Sequence, residues 1–214
     1  MTTMDRPPFA EVYAAALTGD GRAVVGGNGD DRMLPVLRWL GPADDSDMAL
    51  LAHCRGRTLD IGCGPGRMSA HLASLGHAVV GLDLVPAAVA QTRARGVPAV
   101  QGDVFGPVPH EGDWDTALLA DGNIGIGGDP VRLLRRVVGL LAVGGRVVAD
   151  LAAYGSGVRR TSLTIRTQEQ HSEPFPWAIV GADAVAAVAE AAGLVTTEVH
   201  EHAGRWFGVL EVAR

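Results

Sequence analysis

Two rhythms of apolar and polar positions divide the chain. Up to residue 56 the apolar residues fall in short amphipathic stretches broken by glycine and proline. "PPFAEVYAAALTG" predicts a helix opened by proline and closed at Gly19. "DGRAVVGGNGDD" reads as a glycine-rich loop, and "DRMLPVLRWLG" as a short helix with Pro35 in its early turns. "SDMALLAHCRG" predicts another helix, with Ser46 as N-cap and Gly56 at its C-terminal end.

From residue 57 strand-length apolar runs alternate with helical stretches. "RTLDIG", "HAVVGLDL", "VPAVQGDVF", "WDTALLAD" and "GGRVVADLAAY" predict strands. "RMSAHLASLG", "PAAVAQTRARG" and "DPVRLLRRVVGLL" predict the helices, the last with Asp129 as N-cap and Pro130 at the first helical position. Such alternation implies a parallel sheet covered on both faces, with right-handed crossovers. The strands are nearly continuous apolar runs, as a doubly covered sheet requires. In the tail, "RRTSLTIRTQEQH" is a candidate extra strand and "EPFPWAIVG" a loop, since Pro174 and Pro176 exclude a long helix. "DAVAAVAEAAG" predicts a helix, and "LVTTEVHEHA" with "RWFGVLEVA" an antiparallel hairpin turning at Gly204. The expected organisation is an N-terminal helical cap over 1–56 and an α/β domain over 57–214.

Composition narrows the classes. The 214 residues are 47% hydrophobic and 20% charged, enough for a sizeable core and against wholesale disorder. The formal net charge is −6, and all 18 basic residues are Arg, scattered apart from Arg135-Arg136 and Arg159-Arg160. Binding to a phosphate backbone needs clustered cations, so a nucleic-acid partner is not expected. Cys54 and Cys63 are too few for a disulfide framework or a zinc site of their own. The N-terminal "MTTMDRPPFA" lacks the apolar stretch of a signal peptide, and no apolar run spans a bilayer. A cytoplasmic protein without a membrane partner is the expectation.

The first strand runs into "LDIGCGPGR". A strand, a glycine loop and then a helix place bare backbone N–H groups where a polar ligand can sit. A phosphate-cradling P-loop needs a lysine after its last glycine, and the chain has none. The dinucleotide pattern G-x-G-x-x-G started at Gly62 would put its third glycine on Arg67, and fails by one residue. The string Asp60-Ile-Gly62-Cys63-Gly64-Pro65-Gly66 resembles the first motif of class I S-adenosylmethionine-dependent methyltransferases. The resemblance covers roughly residues 57 to 150 and extends more weakly to the helix–hairpin end. It implies a Rossmann-like, doubly wound, seven-stranded sheet in the order 3-2-1-4-5-7-6 with the last strand antiparallel.

It also implies a cofactor site. Asp60, Gly62, Cys63, Gly64 and Gly66 would form the loop, with Cys63 a small structural residue. Asp83 ends the second strand about 20 residues on, where a carboxylate suits vicinal ribose hydroxyls; Leu84 follows it. Asp103 and Val104 would meet the adenine. Ala120, Asp121 and Asn123 end the fourth strand at the switch point of the sheet. The implied ligands are S-adenosyl-L-methionine and its product S-adenosyl-L-homocysteine.

No general base stands out, and Asp121 and His171 are the candidates. "DGNI" at the fourth strand departs from the Asn/Asp-Pro-Pro-aromatic pattern of amide and adenine methylases. Trp39, Phe175 and Trp177 are candidate walls for a small acceptor; with Trp206 and Phe207, the tail aromatics fit pocket or core equally. Arg32 is a candidate carboxylate clamp. No metal site is expected: His200 and His202 share a strand face with Thr196 and Glu198, which reads as a solvated edge. The expected activity is methyl transfer to a small-molecule O, N or C acceptor. The rivals are a cofactor-binding scaffold without turnover, a nicotinamide-dependent oxidoreductase and a macromolecule methylase. The oligomeric state is open, with a homodimer one option.

Overall fold

The computed structural model describes residues 6–27 and 31–212. Among these residues eleven strands and seven helices form two sheets. The strands are β1 Val24–Gly26, β2 Arg32–Met33, β3 Thr58–Ile61, β4 Val79–Asp83, β5 Ala99–Gln101 and β6 Trp114–Leu119. β7 Leu141–Leu151, β8 Val158–Arg166, β9 Phe175–Val180, β10 Leu194–His202 and β11 Arg205–Val212 follow. The helices are α1 Phe9–Thr18, α2 Val36–Leu40, α3 Asp45–Leu51, α4 Arg67–Ser74, α5 Pro86–Ala94, α6 Pro130–Val138 and α7 Val185–Ala191.

The larger sheet has the order β10-β11-β7-β6-β3-β4-β5. Counting only its own strands, this is the expected 3-2-1-4-5-7-6. β3 to β7 pair in parallel, whereas β11 runs antiparallel to β7 and β10 antiparallel to β11. One face packs on α6 and α7 through Leu133, Leu134, Val137, Val185 and Val188. The other packs on α3 and α4 through Leu50, Leu72, Leu118, Val148 and Phe207. Each such fully buried side chain contributes about 1.5–3 kcal/mol. Local signals behave as the sequence predicts. Asp129 caps α6 by accepting from the Arg132 N–H at 3.1 Å, with Pro130 behind it. Ala203 and Gly204, at φ 52° and 81°, make the two-residue turn of the β10–β11 hairpin.

Three expectations need correction. The N-terminal segment, expected as a helical cap, holds α1, α2 and α3 but also β1 and β2. β1 lies inside the expected glycine-rich loop; residues 28–30 of that loop lie outside the described residues. A strand forms there because a distant partner is available: Val24, Val25 and Gly26 pair with Arg166, Ile165 and Thr164 of β8. Second, "EPFPWAIVG" contains β9 rather than a loop. Pro176 is tolerated because β9 is an edge strand of the second sheet, order β2-β1-β8-β9, where a missing N–H breaks no ladder beyond. Third, α3 is capped by Asp44, whose side chain accepts from the Asp47 N–H, while Ser46 lies in its first turn. The second sheet thus draws strands from either side of residue 57 and sits beside the C-terminal ends of the parallel strands.

Candidate functional site

A cavity of about 1080 Å³ lies between the two sheets. That exceeds the usual range for a single small ligand, ~300–1,000 Å³. Its floor is the β3–α4 loop with the ends of β4 and β6. Its roof is Leu163 and Ile165 of β8 with Phe175 and Trp177 of β9. α1 and α2 close one side with Phe9, Tyr13 and Trp39.

The loop glycines are bare for different reasons. Gly62 and Gly66 are left-handed, at φ 72° and 82°. A Cβ on Gly62 would come within 2.6 Å of the Asn123 amide, and one on Gly66 within 2.7 Å of the Thr92 hydroxyl. Packing of the loop on its neighbours excludes side chains at both. At Gly64 the nearest atom to such a Cβ is the Tyr13 hydroxyl, at 3.3 Å. Gly64 is left-handed too, at φ 54°, and lines the cavity without a side chain, its N–H given to Asp83 and its carbonyl accepting from the Thr92 hydroxyl. Asn123 holds the loop from the other side, donating from Nδ2 to the carbonyls of Ile61 and Gly62, both at 2.9 Å.

Asp83 ties the loop to β4. One carboxylate oxygen accepts from the Gly64 N–H at 2.9 Å, the other from the Val85 N–H at 2.8 Å. A carboxylate has about four acceptor positions, so each oxygen keeps one for a ligand. Burial raises its pKa, and the backbone N–H groups oppose that shift. Asp103 accepts from the Phe105 N–H at 2.9 Å and lines the cavity with Leu84 and Val104. Cys63 packs on Thr92, and burial pushes its thiol well above the ordinary value, which disfavours the thiolate.

Of the other sequence candidates, Gly62, Cys63, Gly64, Asp121, Asn123, Trp39, Phe175, Trp177 and Arg32 line the cavity. Asp60, Gly66, Ala120 and His171 are not among its lining residues. Asp60 is 1% exposed and accepts from the Ser69 hydroxyl at 2.6 Å, locking β3 to α4 from beneath. Its burial raises the carboxyl to about 7. His171 bridges to Arg166 at the end of β8. Trp206 borders the cavity, whereas Phe207 is core.

A group missed in the sequence joins this floor to the N-terminal helices. Arg67, the first residue of α4, contacts Asp47 of α3 and, at 2.7 Å, Asp121. Arg205, the first residue of β11, contacts Asp47 and reaches Asp150 at 2.7 Å and Asp121 at 3.4 Å. The Asp121 N–H donates to Asp150 at 2.8 Å, holding Asp121 at φ 51°. Arg38 adds a contact to Asp47 at 3.1 Å. The carboxylate of Asp121 is thus engaged by two guanidiniums, an arrangement that positions rather than moves protons. Two signals were available. A cation at the start of α4 opposes the helix dipole and needs a carboxylate nearby. Asp150 lies one residue before the end of β7, much as Asp83 ends β4.

Residues 58–145 match the family described as "Methyltransferase domain". A search of curated proteins finds no match. Among solved structures, the chain is similar to a SAM-dependent methyltransferase from Bacteroides fragilis in complex with S-adenosyl-L-homocysteine. That pair has a TM-score of 0.81 at 22% identity, covering 98% of this chain and 96% of the other. The 1,6-didemethyltoxoflavin-N1-methyltransferase of Burkholderia thailandensis has a TM-score of 0.60 at 18% identity, covering 92% and 98%. An amino pentose methyltransferase from Micromonospora echinaspora has 0.59 at 20% identity, covering 83% and 94%. These likenesses carry the fold, and the family match covers the strands and loops that build the cavity floor. The chain thus carries a methyltransferase-domain match over residues 58–145 and shares the fold of S-adenosylmethionine-dependent methyltransferases.

Proposed function

We propose that the chain binds S-adenosylmethionine along the Gly62–Gly66 loop, Asp83 and Asp103, and methylates a small molecule seated beneath the second sheet. The observation that carries this is the continuity of the cavity, from the carboxylates of the loop floor to the aromatic wall of Trp39, Phe175 and Trp177. The residues fit the cofactor. Gly64 lets a ligand approach the loop without meeting a side chain, Asp83 keeps free acceptor positions for vicinal hydroxyls, and Asp103 lines the floor just after β5. When bound, the cofactor supplies a methyl group on a positively charged sulfur.

The chain's own part is orientation. Asn123 and Asp83 hold the loop rigid, and the Asp121–Arg67–Arg205 group fixes the end of β6. The second sheet covers the acceptor side with Leu163, Ile165, Phe175 and Trp177. Proximity of this kind supplies about 7–11 kcal/mol of a displacement barrier. Tyr13 remains a neutral phenol, because burial and then Asp83 and Asp121 raise its pKa. The net charge of −6 with no lysine favours a small acceptor over a nucleic acid. Among the described residues no helix is long and apolar enough to cross a membrane.

Calorimetry with S-adenosylmethionine, S-adenosylhomocysteine and NADH tests this reading, followed by an acceptor screen read by S-adenosylhomocysteine release. Micromolar binding of the first two is the expected result. Binding of NADH alone would overturn it.

A further inference from the structure

On the α3 face of the sheet, away from the cavity, three side chains converge. His53 lies just beyond α3, and Glu198 and His200 lie on β10. One carboxylate oxygen of Glu198 is 2.8 Å from His200 Nε2 and 3.4 Å from His53 Nδ1. The two imidazoles lie with centroids 4.5 Å apart, and both pack on Phe207, at 5.4 Å and 5.1 Å. All three ligand atoms lie within 4.8 Å of one another. None of these residues lines the cavity.

A bulge brings them together. The β10–β11 register shifts between Thr196 and Glu198. Before it, Leu194 and Thr196 pair with Val212 and Leu210, on the α6–α7 face; after it, Glu198 and His200 pair with Val209 and Phe207. The extra residue turns Glu198 and His200 to the α3 side, where His53 waits. Without it they would share a face with Thr196, as simple alternation predicts. His202 does not join the group.

We propose that His53, Glu198 and His200 form a binding site for a divalent d-block cation, zinc in the first instance, that clips the hairpin to the turn after α3. Two imidazole nitrogens and one carboxylate oxygen are a donor set suited to zinc. Tetrahedral zinc with bonds of about 2.0–2.1 Å sets its donors ~3.4 Å apart, which matches the His53–Glu198 separation of 3.4 Å and asks the 2.8 Å His200–Glu198 hydrogen bond to open by a few tenths of an ångström. Water completes the coordination, because all three side chains are partly exposed, at 23%, 43% and 38%. The nearby cation, Arg146, donates to the His53 carbonyl and is paired with Glu211 at 2.7 Å.

The test uses the untagged full-length chain, stripped with a chelator and titrated with zinc chloride by calorimetry and with cobalt(II) by visible absorption. The expected result is one zinc per chain, a cobalt spectrum of tetrahedral type and a zinc-dependent rise in Tm. His53→Ala and His200→Ala lose affinity by at least about tenfold, since even outer partners of a metal site are worth that much. His202→Ala binds as wild type. Glu198→Gln, of the same shape, supplies the comparison if a histidine variant does not fold. Absence of zinc binding by folded wild type, or binding unchanged in the folded variants, would overturn the proposal. Neither readout depends on methyl transfer.

Discussion

Asp47 of α3 and Arg67 of α4 form an ion pair from which water is excluded, with side-chain exposures of 0% and 2%. Desolvating two charges costs several kcal/mol per ion, which mutual attraction offsets only when further partners are present. Here they are present: Arg38 and Arg205 on Asp47, Asp121 on Arg67. Neutralising Asp47 leaves the buried Arg67 with Asp121 as its one remaining carboxylate and takes a counter-charge from Arg205. Asp47→Asn should therefore destabilise the fold by about 3–5 kcal/mol. Urea denaturation measures this, and a loss under ~0.5 kcal/mol would show that the pair is not held in solution. The double variant Asp47→Asn/Arg67→Met should recover part of the loss, as a coupled pair requires.

Asp83→Asn keeps the shape of the side chain but removes the charge that meets the Gly64 and Val85 N–H groups. Hydrogen bonds to a charged group are worth about 1.5–3 kcal/mol. Affinity for S-adenosylmethionine should fall by roughly 10- to 100-fold, read by calorimetry. Equal affinity in the variant would remove Asp83 from the cofactor site.

Asn123→Ala deletes both donations to the carbonyls of Ile61 and Gly62. The loop should loosen, raising the Kd for cofactor and lowering kcat. Restoring hydrogen-bond reach with Gln at this position should not rescue either, because a Cβ-to-amide distance one methylene longer cannot meet both carbonyls. Full activity in Asn123→Ala would show that the loop holds its shape unaided.

Asp60 supplies a pH signature. Its buried carboxyl titrates near 7, above the ordinary carboxylate value of 3.8. The folded state thus binds the proton more tightly than the unfolded state. That contribution is fully present below about pH 4 and is lost as pH rises towards 7. Asp83 and Asp150, also raised by burial, act in the same direction. Asp60→Asn retains an acceptor for Ser69 without the titration. Its stability relative to wild type should rise by on the order of a few kcal/mol between pH 4 and 7. Parallel urea-unfolding curves across that range would contradict the shift.

Trp177→Ala removes an aromatic wall of the cavity on β9, whereas Gly64, Asp83 and Asp103 belong to the floor. Once an acceptor is found, its KM should rise several-fold while the Kd for S-adenosylmethionine stays within about twofold. A matched loss of cofactor affinity would instead place Trp177 in support of the floor.

How far the sequence could be read depended on range. The glycine loop and the acids Asp60, Asp83 and Asp103 were legible because each sits at a fixed offset from a strand end, set by neighbours close in sequence. The exception was role: Asp60 lies beneath the loop on Ser69 and does not line the cavity. β1 and β9 were invisible because nothing within either segment demands a strand; β8 supplies the demand from a distance. The charged group was missed for the same reason, since Asp47 and Arg205 meet only in the folded chain. The bulge in β10 reversed the face of Glu198 and His200, which no strict alternation anticipates.

The composite roof has an engineering consequence. Its β1 and β8 strands are far apart in the chain yet locked in one register, Val25 opposite Ile165. Under the proposed function, acceptor preference is therefore not a cassette. Exchanging the segment around β8 and β9 with a relative's would leave the native β1 facing a foreign partner, with a slip of one residue inverting every side chain of the roof. Transplanting specificity requires moving both segments together, and natural divergence in this enzyme should show the two changing in step.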